Sequence, residues 1–397
     1  MTDAAIIKPS ELAPRVNLLS AVSRLIREDI GNWARTPDKK PLLQQVREAA
    51  DLWRIYRYVP YHYLKYDLFR RSIGETYRDY PPSIVADFFV YQMNPKECID
   101  WLEDKLEFDA RMRRIGLPFV ATLATLELHG DRLRIESRGG APLSWPELHA
   151  LVREAAPHGA FLKPRFGLGG KGAFRLSVEE GGFVRDGRVQ SEADIAERMR
   201  ASGYDQFMLQ PYFLQHPDVA RVHPGSVNTL RILTFRSDDD VEIIASYLRV
   251  GGAGAETDNG SGGGFAAKVD LATGRVGSVA TIHLTFAESR FVERHPETGV
   301  AFGDITIPHA QAIAEYVTQG ARAFAPLRVI GWDIAVGPDG PCAVEANSIP
   351  GFRPVQDVCG GLRRTRYGEA MAAHFGWGRR SEDCGETIRN PVSHQPC

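Results

Sequence analysis

The chain predicts an α+β fold with a mainly helical N-terminal region, and three observations carry that expectation. Apolar residues recur at helical spacing through the first ~115 residues. Strand-like alternation dominates from Asn228 onward. Near the end, Val329–Val336 and Cys342–Asn347 are joined by Gly337–Pro338–Asp339–Gly340–Pro341, a turn sequence that makes the two runs a β-hairpin.

The elements follow in order. Leu42, Leu43, Val46, Ala49, Leu52, Ile55 and Tyr56 mark a first helix over 41–58, and 82–93 is a second. Asn94 as N-cap, Pro95 at N1 and Glu97 at N3 start a third, which runs through Trp101, Leu106 and Met112 until Gly116 stops it. Strands are expected at 118–128 and 132–136. Ser144 and Glu147 have capping-box spacing for a helix over 144–154. Then come a strand (160–163), a glycine loop, a strand (173–178), a turn (181–187), a helix (192–201) and a strand (207–210). Strands over 229–235, 241–250, 264–270 and 281–286 precede a helix over 310–324 and the hairpin. These divide the chain into a helical region (1–115), a central part (116–225), a C-terminal part (226–377) and a polar tail (378–397).

Composition narrows the function. With 397 residues the chain suits two or three domains. Lys+Arg is 48 against Asp+Glu 50, a net charge of −2, so neither a nucleic-acid binder nor a polybasic membrane anchor is expected. Five dispersed cysteines show no zinc or iron–sulfur spacing and fit a reducing compartment. No signal-peptide pattern and no run of eighteen apolar residues occur, so the cytoplasm is the expected location. Only nine residues are lysine, so each lysine in an apolar setting is informative.

The hairpin carries the strongest chemical signal. Alternation puts Glu345 and Asn347 on one face of their strand, with Asp333 on the facing strand. Two carboxylates and a carboxamide are hard oxygen ligands, the set Mg²⁺ takes beside a nucleotide's phosphates. A lone E-x-N is more often an ordinary hairpin face. The facing Asp and the trailing Pro350–Gly351 favour a metal site.

Gly167, Gly169 and Gly172 form a nominal G-x-G-x-x-G with Gly170 and Lys171 among them. The Rossmann form must open a helix, yet 173–178 alternates like a strand. The Walker form fails because neither Ser nor Thr follows Lys171. A strand–loop–strand remains, whose backbone N–H groups can donate to phosphate oxygens. A protein kinase shares that layout, but its lysine lies downstream, and neither H-R-D nor D-F-G occurs here. Lys163, upstream in an apolar strand, suits a phosphate. The strand ending at Gln210, Pro211 and Tyr212 can offer backbone groups to an adenine edge. Arg231 and Arg249 lie on apolar strands, suited to phosphoryl or carboxylate contact or to a solvated face. Asp258–Gly264 is either a lid or a plain hairpin tip, and Lys268 follows it. His283, His295 and His309 read as structural.

Taken together, these segments resemble the ATP-grasp superfamily, and most closely its sugar-transfer-associated group. The resemblance rests on Lys163 before the glycine loop, Gln210–Pro211, the run Pro224–Arg231, Asp258–Asn259, His295–Gly299, Gly331–Ala335 and Glu345-x-Asn347-x-x-Pro350–Gly351. The last is also the form found in D-alanine–D-alanine ligases. It implies two α+β subdomains clamping ATP. Lys163 would hold the α/β-phosphates, and Gly167, Gly169, Gly170, Lys171 and Gly172 would close over the β/γ-phosphates. Gln210, Pro211 and Tyr212 would meet adenine, while Asp333, Glu345 and Asn347 would hold Mg²⁺. Arg231, Arg249 and Lys268 would serve the reacting groups. D-alanine ligases place an Arg two residues before the metal Asp, where Gly331 stands here, so Arg231 or Arg249 would have to supply that charge.

The implied activity is ADP-forming ligation of a small carboxylate to an amine through an acyl phosphate. The substrate would be an amino acid, peptide or amino-sugar-related compound, and a homodimer is compatible. The alternatives are an ATP-dependent phosphotransferase and a non-catalytic nucleotide-binding module.

Overall fold

A computed structural model describes residues 29–377 except 131, 168, 239 and 283–290. Two seven-stranded antiparallel sheets form its frame. The first contains β1 (Ala124–His129), β2 (Arg132–Ser137), β3 (Ala160–Pro164), β4 (Phe174–Glu179), β5 (Gly182–Arg185), β6 (Arg188–Gln190) and β7 (Gln206–Pro211). Their order is β2-β1-β7-β3-β4-β5-β6. The second contains β8 (Leu230–Ser237), β9 (Asp240–Val250), β10 (Phe265–Val269), β11 (Val276–Thr281), β12 (Phe291–Val292), β13 (Val329–Gly337) and β14 (Gly340–Asn347), in the order β12-β11-β10-β9-β8-β13-β14. The stretch expected as a turn, 181–187, instead contributes β5, and only Asp186 and Gly187 turn the chain into β6. The strand expected at 281–286 lies mostly outside the described residues; β11 precedes it.

Helices cover these sheets. α1 (Leu42–Tyr56) and α2 (Ser83–Met93) precede α3 (Lys105–Ile115); α4 (Trp145–Ala155) and α5 (Glu192–Ser202) pack on the first sheet. α6 (Ala310–Ala323), α7 (Phe352–Cys359) and α8 (Arg366–Phe375) complete the set. The capping box of α4 forms as expected: the Ser144 hydroxyl accepts from the Glu147 N–H, and Glu147 accepts from the Ser144 N–H at 2.7 Å.

The first turns of α1 invert the expected packing, whereas Leu52 and Tyr56 further along are buried as expected. Leu42, Leu43 and Val46 point outward, while Gln45 and Glu48 are buried. The inversion is stable because the buried polar groups are satisfied. Trp33 Nε1 donates to Gln45 at 2.8 Å, and Lys40 Nζ and the Tyr63 hydroxyl donate to Glu48 at 2.9 and 2.6 Å.

The third expected helix is broken. A 3-10 turn at Lys96–Cys98 and a short helix at Asp100–Glu103 precede α3, whose N-cap is Asp104. Asn94 caps nothing. Its amide donates to the Val329 and Ser348 carbonyls at 2.8 and 3.0 Å and accepts from the Val329 N–H at 3.0 Å. Glu103 accepts from Ser348 Oγ at 2.6 Å. The helical region therefore clamps both ends of the β13–β14 hairpin, since four polar contacts outweigh one cap. Gly116 ends α3 in the left-handed conformation, φ 78°.

Candidate active site

The hairpin is the floor of the site. β13 is buried along its length. Asp333 pairs directly with Glu345, and a bulge follows that leaves Val344 without a partner on β13. Asp333 and Glu345 thus meet across the two strands, with Asn347 opposite Gly331 two pairs further on. A side chain at 331 would put its Cβ 2.5 Å from Pro350 Cβ, so this position admits only glycine. The guanidinium charge beside Asp333 comes from neighbouring strands instead. Arg231 Nε and Nη2 donate to Asp333 at 2.5 and 2.9 Å, and Arg249 Nη1 donates at 3.0 Å.

Electrostatics divide the two carboxylates. Burial alone would raise Asp333, but Arg231 and Arg249 outweigh it and bring its pKa down to about 2. Glu345 is pushed up, first by burial and then by the Asp333 charge, with Lys163 pulling the other way. Asp333 is therefore a fixed anion, whereas Glu345 gains from a nearby cation.

Above this floor lies a cleft with about 890 Å³ of space. Its lining includes Lys163, Gly167, Gly169, Gly170, Lys171, Gln210, Pro211, Tyr212, Arg249, Asp333 and Glu345. Lys163 reaches over from β3, and its Nζ donates to the Val344 carbonyl at 3.1 Å. Burial lowers its pKa to about 8, against the pull of Glu345. Gln210 donates to the Val120 carbonyl at 2.5 Å, which pins the end of β7. The loop glycines take positive φ, +69° at Gly170, and a Cβ there would stand 2.5 Å from Asn259 Nδ2.

Four expected residues sit otherwise. Lys268 is exposed on β10 and lines neither this cleft nor its neighbour. Its Nζ donates to the Cys359 carbonyl at 3.4 Å. Gly172 lies behind the loop, against Ser202 and Pro164. Asn347 lies beyond the cleft wall, its amide 3.5 Å from the Gly331 carbonyl. Arg231 opens onto a second cleft, not onto this one. Asp258 is no floppy tip: it is buried, accepts from Arg249 Nη2 at 2.7 Å and takes the Thr229 N–H at 3.0 Å. His295 is buried with Nε2 2.9 Å from the Gly251 carbonyl, and His309 Nε2 lies 3.1 Å from that of Pro338. His283 falls outside the described residues.

Sequence reasoning missed two charged cleft residues. Lys105, the first residue of α3, lines the cleft and donates to the Gly167 carbonyl at 3.0 Å. The scarcity of lysine was its only signal. Glu256 lines it as well and accepts from Arg185 Nη1 at 2.9 and 3.0 Å. Arg185 lies on β5 of the other sheet, so this pair joins the two jaws.

The donor chemistry fits a hard divalent cation. Asp333 and Glu345 are adjacent, and the elevated Glu345 marks a carboxylate short of positive partners. Among the described residues there is no cluster of three or more His, Cys, Asp or Glu arranged for a metal ion, so two carboxylates would need oxygen from a bound phosphate or water.

Two antiparallel sheets facing each other over a glycine loop, a buried lysine and a carboxylate hairpin define the ATP-grasp class. A profile of the sugar-transfer associated ATP-grasp family matches residues 85–365, and the chain belongs to that family. No curated protein sequence matches. Among solved structures, biotin carboxylase from Campylobacter jejuni is similar at 12% identity and a TM-score of 0.42, covering 75% of this chain and 53% of that one. D-alanyl-alanine synthetase A from Vibrio cholerae is similar at 13% and 0.37, covering 72% and 63%. D-alanine-D-alanine ligase from Coxiella burnetii gives 10% and 0.37, covering 71% and 60%. The chain thus spans between about half and two thirds of the length of these structures. Among the described residues, no helix is long and apolar enough to cross a membrane.

Proposed function

We propose that this protein is an ATP-dependent, ADP-forming ligase that joins a carboxylate to an amine. One observation carries the reading: Asp333 and Glu345 face each other on the floor of a cleft whose other walls supply Lys163 and the glycine loop. In this reading residues 116–225 and 226–377 are the two jaws, and the helical region braces the hairpin of the second.

The substrate carboxylate attacks the γ-phosphorus of ATP, the bond to the β-phosphate oxygen breaks, and ADP leaves. The amine then attacks the acyl carbon, phosphate departs with the C–O electron pair, and the amine loses a proton. Each step brings anions together, so catalysis depends on fixed positive charge. Lys163, with Lys105 beside it, holds the phosphate chain. Backbone N–H groups of Gly169 to Lys171 close over its end. Gln210 to Tyr212 receive the adenine. Arg231 and Arg249 orient Asp333 and keep it ionised. Asp333, Glu345 and, by reaching inward, Asn347 are the residues that would hold Mg²⁺, which supplies charge neutralisation at the phosphate oxygens when bound. Lys268 has no role in this assignment.

Hydroxylamine tests the reading. With ATP, Mg²⁺ and a carboxylate substrate but without the amine, it should intercept the acyl phosphate as a hydroxamate. A stable phosphorylated product without hydroxamate would make the protein a phosphotransferase. Nucleotide binding with no turnover on any acid would make it a binding module.

A further inference from the structure

Twelve large apolar side chains stand exposed among the described residues, and six of them fall between Ile30 and Val59. The other six are dispersed along the chain, and single exposed apolar residues need no partner. A concentration within one short stretch does need one. Four of the six lie on α1: Leu42, Leu43, Val46 and Trp53, which are 53–67% exposed. A helical turn of about 3.6 residues brings these four side chains into one arc. Gln45, Glu48, Leu52 and Tyr56 make up the buried side. The first turns of α1 thus hold apolar groups in water and polar groups inside, the reverse of an ordinary surface helix. The bonds of Gln45 and Glu48 to Trp33, Lys40 and Tyr63 fix that orientation.

The free charge around the arc is of one sign. Arg47 and Arg54 border it on α1. Arg57 follows at the C-cap, its guanidinium 5.9 Å from the Trp53 ring centroid, and Arg35 precedes the helix. All four arginines are exposed, and none has a carboxylate in ion-pair contact among the described residues. The acids of α1 are engaged elsewhere: Glu48 with Lys40, and Asp51 with Arg78 and Tyr77. Arg54 acts on Asp51 only through its field. The net charge of −2, from which no membrane anchor is expected, averages away this local excess of arginine.

A second copy packed on the same face would set arginines against arginines across a symmetric contact. An anionic lipid surface supplies both things that the arc lacks. Its acyl boundary takes the apolar side chains, and its headgroups take the guanidinium groups. We propose that α1 is a membrane-surface helix that lies in the plane of an anionic bilayer, with Leu42, Leu43, Val46 and Trp53 turned into it. Trp53 and Arg57 sit at the headgroup level, where an indole ring is favoured. The proposal is independent of the ligase reading, since none of these residues lines the nucleotide cleft.

Co-sedimentation of the full chain with vesicles tests it. Vesicles of equal parts phosphatidylglycerol and phosphatidylcholine should bind the protein about tenfold more tightly than phosphatidylcholine alone, and added salt should release it. Leu43→Ser with Val46→Ser, and separately Arg47→Glu with Arg54→Glu, should each cut binding about tenfold. Melting temperature and nucleotide affinity should stay those of the unaltered chain, because these side chains are exposed. Trp53→Phe should remove most of the blue shift in tryptophan emission on vesicle binding. No binding of the full chain to the anionic vesicles, equal binding to both vesicle types, or undiminished binding by the Leu43 and Val46 double variant would overturn the proposal. A dimer that the same substitutions dissolve, with no vesicle binding, would give the face to a second copy. Vesicle binding gained only on removal of residues 1–28 would give it to that segment of the same chain. The two vesicle types decide the matter on the unaltered protein even where a variant fails to fold.

Discussion

The two walls of the nucleotide cleft are built on opposite principles. The hairpin wall is rigid. β13 is buried from Val329 to Gly337, and Asp333 is held by two guanidinium groups from two neighbouring strands. The glycine-loop wall is, in the proposed function, the part that moves. Phe166 is exposed, and the loop is tied by Lys105 to the Gly167 carbonyl and by Arg165, whose Nη2 meets Asp104 at 2.5 Å. In the proposed function one wall fixes charge at the reacting end, and the other opens for nucleotide and closes over it. Rigidity is needed where electrostatic preorganisation acts, and mobility where substrate must pass.

The contrast can be broken hardest at the rigid wall. Asp333→Asn should abolish turnover and also unfold the protein readily. It leaves Arg231 and Arg249 buried around a neutral group, and removing one partner of such a cluster costs about 3–5 kcal/mol. Glu345→Gln should abolish turnover as well, by roughly 10²–10³-fold, yet keep the empty protein's melting temperature unchanged or higher. The reason is that Glu345 is held above its ordinary pKa, so its ionised form is a cost near neutral pH. Thermal unfolding and ADP release on both variants check this. Equal destabilisation by the two would refute the division of roles.

Lys163 sharpens the comparison through pH. Its pKa stands near 8 in the folded chain against 10.5 in a free lysine. Between those values the unfolded state binds the extra proton, so this group's contribution to stability rises with pH across that window. Nucleotide affinity runs the other way, because phosphates select the charged amine. ATP binding should weaken about tenfold from pH 7 to pH 9 as the amine deprotonates. Lys163→Ala should bind ATP more weakly throughout and lose that part of the slope. An unchanged slope in the variant would remove Lys163 from the phosphates.

The glycine-loop wall gives smaller effects. Gly170→Ala places a Cβ against Asn259 at a positive φ that costs an alanine roughly 1–2 kcal/mol. Asn259 cannot swing away freely, since its Oδ1 accepts from Arg249 Nη2 at 2.6 Å. Turnover should fall about tenfold through poorer closure, with a melting temperature close to that of the unaltered chain. A fully active Gly170→Ala would mean that the loop does not close against Asn259.

These walls were unequally legible. The hairpin could be read because strand periodicity, a Gly–Pro turn and acid spacing are all local, and the Asp333–Glu345 pairing followed from them. Arg231 and Arg249 could be suspected as charges in apolar strands, but their convergence on one carboxylate is a product of strand order. Lys268 looked equivalent to them in sequence and faces away in the fold. The α1 inversion was hidden because Gln45 and Glu48 find their partners at Trp33, Lys40 and Tyr63, which no helical periodicity reports. Asn94 read as a cap since its bonds run to Val329 and Ser348, more than two hundred residues away. α7 and α8 went unread.

The smallest expected effect belongs to the link between the jaws. Arg185 Nη1 spans from β5 to Glu256, while also donating to its own sheet at the Arg175 carbonyl, 2.8 Å away. Glu256 is 38% exposed, so water and salt screen the pair and its contribution stays within ~1 kcal/mol. Glu256→Gln keeps the shape and removes the charge. It should raise KM for ATP about two- to fivefold with little change in kcat, because the closed jaws are only slightly less favoured. The diagnostic reading is ionic strength. In the unaltered protein KM should climb between low and high salt as the pair is screened, whereas the variant should show a shallower climb from a higher start. Parallel salt curves for the two proteins would show that Arg185 and Glu256 meet without helping the jaws to close.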